Sequence, residues 1–121
     1  MNEFQNRIKK FSEERDWNQF HNPKDLLLGI VEEIGEIRNI IKWEQDNEKL
    51  KKALNENKEI IEDDIGDIYW FLALLANETN INIDEAISKV IEKNEIRFPA
   101  EKLKSKHTNI FLGGEDGQYK K

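Results

Sequence analysis

Cysteine is absent from the 121-residue chain. Without thiols there is no disulfide, no zinc–thiolate centre and no cysteine nucleophile, and the chemistry suits a reducing compartment. Histidine is scarce, at two residues, which excludes a histidine-built metal site or a Glu-x-x-His di-iron bundle. No apolar run is long. The longest, residues 68–76, is about half of what a membrane-spanning helix requires. The opening MNEFQNRIKKF has no apolar core of signal-peptide length. The expectation is a cytoplasmic protein that does not engage a membrane. Long basic runs are missing too: 25 acidic against 19 basic residues leave a net charge of −6, so no nucleic-acid partner is expected.

What is present is 37% hydrophobic and 36% charged residues. That balance suits one helical domain with a thin core and a highly charged surface, to which burial against a second copy would add. A first helix is expected over residues 3–15, with Phe4, Ile8 and Phe11 on one stripe. Residues 16–22 break the pattern and gather Trp17, Phe20 and His21. Asn22 and Pro23 are N-cap and first-turn residues for a second helix reaching about Trp43. Residues 45–57 read as a polar loop with one helical turn around 49–54. A third helix follows over 59–77, then a turn over 78–81. Asn82 and Glu85 form a capping box for a fourth helix to about Ile96, with Ile83, Ala86, Ile87, Val90 and Ile91 as its apolar face and Pro99 as its stop. The expected fold is all-α, a four-helix domain over residues 1–104. Residues 105–121 are expected to form a C-terminal tail, with Ile110, Phe111 and Leu112 as candidate docking residues and mobility as the expectation for the rest.

The chemistry centres on residues 26–43, LLLGIVEEIGEIRNIIKW. With Glu32 at zero on a helical wheel, Glu36 falls near about 40° and Glu33 near about 100°, opposite an isoleucine arc at roughly 140–200°. Three acids on one side of one helix also describe a plain solvated face. In residues 60–75, IIEDDIGDIYWFLALL, Asp64 falls inside the apolar arc and Asp67 at its edge. A carboxylate on a buried face requires protonation, a Lys or Arg partner, or a cation. Glu33/Glu36 and Asp64/Asp67, each spaced i, i+3, are able to converge on one hard divalent cation such as Mg²⁺, which takes oxygen ligands. A structural ion pair at Asp64 is the alternative. Further on, Lys89, Lys93 and Arg97 form a basic row at i, i+4, i+8, which equally fits a solvated face with a Glu85–Lys89 pair.

EEIGE at 32–36 and D-I-G-D at 64–67 resemble the E-E-x-x-E and E-x-x-D motifs of the MazG-like nucleotide pyrophosphohydrolases. The stretch ERDWNQFHNPKDLLLGIVEEIGEIRNIIKW (14–43) is similar to the dCTP pyrophosphatase branch, and KNEIRFP (93–99) to the K-N-x-x-R-[YF]-P segment that closes the domain. The resemblance covers roughly residues 3–104. It implies an all-α fold that forms a homodimer or a homotetramer of two dimers. It implies Mg²⁺-dependent cleavage, with Mn²⁺ as substitute, between the α- and β-phosphates of a nucleoside triphosphate, giving monophosphate and pyrophosphate. Glu33, Glu36, Asp64 and Asp67 fall on the family's metal ligands; Glu32 matches an acid that is not a ligand in every branch. Lys93, Asn94 and Arg97 fall on phosphate contacts, and Trp17, His21 and Trp43 on base-pocket positions. Glu33 or Glu36 would orient or deprotonate the attacking water.

Asp64 departs from the pattern, standing where the family usually has Glu, one methylene longer. Two other readings are open: a different base preference (dUTP, a damaged nucleotide or a broad range), and a catalytically silent helical dimer that binds nucleotide or a protein partner. Without the resemblance, the tryptophans read as core or interface packing.

Overall fold

A computed structural model describes residues 2–104, so the expectations for residues 105–121 lie outside the described residues. Helices account for the fold and no strand occurs among these residues. The elements are α1 (Glu3–Glu14), a 3₁₀ turn (Asn18–Phe20), α2 (Pro23–Ile41), α3 (Asn47–Glu56), α4 (Lys58–Glu78), α5 (Ile83–Arg97) and α6 (Ala100–Leu103). No helix is long and apolar enough to cross a membrane. Two compact units divide the chain, one to Ile83 and one from Asp84 onward.

In the first unit α2 and α4 pack along one another, with α1 against α4. The start of α2 follows from its sequence: Asn22 Oδ1 accepts from the Asp25 N–H at 2.9 Å, and Pro23 occupies the first turn. The core is small: Ile8, Leu26, Ala73 and Leu74, with Tyr69, Trp70, Phe71, Leu75 and Ile83 packed against it. Where α2 and α4 meet, Gly29 faces the Phe71 ring. A Cβ on Gly29 would stand 2.8 Å from that ring's Cζ, so glycine sets the close approach of the two helices. Gly29→Ala is expected to cost about 1–3 kcal/mol through overpacking, measured as a lower midpoint in urea unfolding.

Two local differences from the sequence reading have clear physical causes. Residues 47–56 form a ten-residue helix rather than a loop with one turn. Asp46 caps it by accepting from the Lys49 N–H at 3.0 Å, and Leu50, Ala53 and Leu54 sit at helical spacing (i, i+3, i+4) on its half-buried side. The buried stripe of α1 is Gln5, Ile8 and Ser12, whereas Phe4 is 58% exposed.

Gln5 is completely buried and fully used. Its Nε2 donates to Asn77 Oδ1 at 3.0 Å and to the Ile81 carbonyl at 2.7 Å, and its Oε1 accepts from the Ile83 N–H at 3.0 Å. The Asn2 side chain caps α1 by accepting from the Gln5 N–H at 2.7 Å. A polar clamp therefore ties the N-terminal helix to the segment that leaves α4.

Helix α5 begins at Ile83, the last residue of the first unit, and its remainder, to Arg97, two residues before Pro99, belongs to the second. On its expected apolar face, Ile87, Val90 and Ile91 are half-exposed.

Candidate metal centre

Helices α2 and α4 each contribute acids to one cluster. Glu33, Asp64 and Asp67 offer carboxylate oxygens that all lie within 4.8 Å of one another. Glu33 and Asp64 share a hydrogen bond, and Glu36 hydrogen-bonds to Glu33 from the exposed side. Asp64 is 3% exposed, in accord with its place inside the apolar arc of the wheel. Glu32 is exposed and outside the group of three. The shorter side chain at position 64 still reaches the cluster.

No Lys or Arg forms an ion pair with Glu33, Asp64 or Asp67 among the described residues. Buried oxygens Glu33 Oε2 and Asp64 Oδ2 have no hydrogen-bond partner, an arrangement that is costly unless a proton or cation compensates. The Glu33 carboxyl responds: its pKa is raised from 4.5 to about 7. Desolvation is the largest cause, followed by the hydrogen bond with Asp64, the charge and hydrogen bond of Glu36, and the charge of Asp67. An all-oxygen, cation-poor donor set with unpaired buried oxygens fits a hard divalent ion.

This raised pKa gives a signed expectation. Between pH 4.5 and about 7 the folded chain keeps a proton on Glu33 that the unfolded chain has lost. Metal-free stability therefore falls as pH rises through that window. Melting in EDTA from pH 4.5 to 8 should show the decline, Glu33→Gln should flatten it, and Mg²⁺ or Mn²⁺ should raise the midpoint most at the alkaline end.

The other expected site residues lie elsewhere. Trp17, 44% exposed, stacks edge-on against Phe11 at 5.5 Å. His21 Nδ1 lies 4.0 Å from Glu78 Oε1. Trp43 is 84% exposed, with Lys42 Nζ 5.0 Å from its ring centre. Trp17 and His21 precede the first turn of α2 and Trp43 follows its last. Nineteen residues of helix separate them, a length of about 28 Å. The structure does not bring these three into one pocket within a single chain. In the second unit, Lys93, Asn94 and Arg97 share the last turns of α5. The Arg97 guanidinium lies 5.0 Å from the Phe98 ring centre, and its buried Nε has no hydrogen-bond partner.

Comparison with known proteins identifies the family. Residues 21–111 match the MazG nucleotide pyrophosphohydrolase domain. The chain is 31% identical over 91 residues to dCTP pyrophosphatase 1 of Mus musculus, covering 74% of this chain and 54% of that protein. It is 30% identical over 97 residues to dCTP pyrophosphatase 1 of Homo sapiens, covering 79% and 57%. The chain thus spans about half the length of the curated relatives it matches. A crystal structure of a pyrophosphatase from Archaeoglobus fulgidus superposes with a TM-score of 0.71 at 30% identity, covering 80% of this chain and 90% of that one. With the matched segment covering most of the sequence and the fold agreeing, the chain belongs to the MazG nucleotide pyrophosphohydrolase family.

Proposed function

We propose that the chain is a Mg²⁺-dependent nucleoside triphosphate pyrophosphohydrolase. It cleaves dCTP or a related or modified pyrimidine nucleotide to the monophosphate and pyrophosphate. The observation that carries this reading is the Glu33–Asp64–Asp67 cluster, with two buried oxygens left unpaired, in a chain of this family. Magnesium bound there would supply positive charge against the triphosphate and the leaving pyrophosphate. Glu33, Asp64 and Asp67 hold the ion. Glu36, exposed beside Glu33, orients the attacking water and takes its proton. Lys93, Asn94 and Arg97 bind phosphate oxygens. With no cysteine in the chain, direct attack by water is favoured over a covalent intermediate.

Self-association is part of this reading. Leu27, Val31 and Ile34 make an exposed i, i+4, i+7 row on α2, and Ile65 and Leu72 an exposed pair on α4. Together they exceed the singly scattered apolar residues of an ordinary monomer surface and support a homodimer or a tetramer of two dimers. The separation of Trp17 and His21 from Trp43 along α2 favours a base pocket that a second copy completes.

A panel of canonical and modified NTPs and dNTPs with Mg²⁺, its products separated by ion exchange, tests the reading. Monophosphate plus pyrophosphate is the expected result, with pyrimidine deoxynucleotides turned over fastest. Diphosphate plus phosphate would move the cleavage position. No turnover with either Mg²⁺ or Mn²⁺ would favour the silent helical dimer, which the Asp64 substitution otherwise keeps open.

A further inference from the structure

A groove of about 570 Å³ runs along α1, away from the residues assigned to the acidic cluster. Its apolar side is Phe4, Phe11 and Trp70; Arg7, Lys10 and Arg15 also line it. Glu14 is the single carboxylate among the lining residues. Three cations against one acid make a local positive site on a chain of net charge −6. Helix α1 is fastened through Asn2, Gln5 and Ile8, so its fastening draws on neither Arg7 nor Lys10. Both are exposed, and neither forms an ion pair among the described residues. Arg15 is held: its guanidinium caps the Phe11 ring at 3.6 Å and donates to the Phe11 carbonyl at 3.1 Å. Phe11 in turn meets Trp70 edge-on at 5.1 Å, which gives the groove a stiff aromatic floor.

We propose that this groove is a second ligand site, for a small molecule that joins an aromatic ring to a phosphate-like anion, as a mononucleotide does. The ring packs against Phe4 and Trp70, beside the Phe11 ring that Arg15 covers, and the anion sits between Arg7 and Lys10. The volume lies within the range of small-molecule pockets, roughly 300–1,000 Å³, and Arg7, 6.0 Å from the Phe4 ring centre, and Lys10, both without an ion-pair partner among the described residues, select an anion. Trp70 stands one helical turn beyond Asp67 on α4, so a ligand here is felt on the helix that carries two of the clustered acids.

The test is equilibrium dialysis of labelled dCMP against the full chain in EDTA, where the clustered carboxylates, without a cation, repel phosphate. One equivalent should bind, with an affinity that falls as salt rises. Binding should weaken tenfold or more in the Arg7→Glu/Lys10→Glu double variant and in Phe4→Ser, and stay unchanged in Arg97→Ala. Light scattering and thermal melting accompany each variant. The proposal is overturned by an absence of binding, or by binding that is lost in Arg97→Ala yet kept in the double variant. A fall in assembly mass on charge reversal also overturns it, since a second copy would then fill the groove. Because the dialysis needs no turnover, failure here leaves the hydrolase reading untouched, and failure of that reading leaves this one standing.

Discussion

Glu33→Gln is expected to lower pyrophosphate release about 10³-fold or more, while raising the melting midpoint of the metal-free chain at pH 8. Both effects come from the same carboxyl. On the proposed function it would be a metal ligand in turnover, and losing metal-borne stabilisation of a phosphoryl-transfer transition state would cost several kcal/mol of barrier. In the metal-free fold desolvation, and after it the neighbouring Asp64, Glu36 and Asp67, push its pKa to about 7. A neutral amide removes that repulsion. A purely structural acid would behave in the opposite way, since its loss would lower stability and leave chemistry alone. Steady-state release of pyrophosphate, read beside melting with and without Mg²⁺, separates the two. If Glu33→Gln lowers the metal-free midpoint and spares turnover, the metal assignment fails.

The second large effect concerns stability. Gln5→Leu is expected to destabilise the fold by about 2–4 kcal/mol, although leucine is more apolar and comparable in size. The substitution strands the Ile83 N–H, the Ile81 carbonyl and the Asn77 amide, all of which Gln5 now satisfies. Buried polar groups that lose their partners cost about 1–3 kcal/mol each before relaxation. Urea unfolding monitored by far-UV circular dichroism measures it. An unchanged midpoint would mean that water or a rearranged Asn77 replaces the side chain. Asn77→Ala should reproduce only part of the loss, since the two backbone partners of Gln5 remain.

The acids were legible in the sequence because a helical wheel converts spacing into direction. Asp64 falls inside an apolar arc, and in the fold it is buried beside Glu33. The caps were legible for a similar reason: Asn22 and Pro23 are local signals that the backbone obeys locally. What failed was also local. The polar run 47–56 carries Asn47 and Asn55, which read as breaks, yet Asp46 caps it and Leu50, Ala53 and Leu54 give it a face. A cap and three apolar residues outweigh asparagine's modest helix cost. Gln5 was invisible because its partners stand more than 70 residues away, and no periodicity reports a tertiary hydrogen bond. The base-pocket positions carried over from resemblance, and one chain alone leaves Trp43 at the far end of α2 from Trp17 and His21.

Glu33 rises from the helix that carries Gly29, one turn earlier, and Asp64 and Asp67 from the helix that carries Phe71, one turn later. The contact between that glycine and that ring therefore does more than close a core. It works as a spacer that gauges how far the opposed carboxylates stand apart. A bulkier residue at either position would widen the gap before it unfolded anything. At the proposed metal centre a wider gap would suit a larger ion, so an apolar contact that no metal touches would bear on the choice among divalent cations.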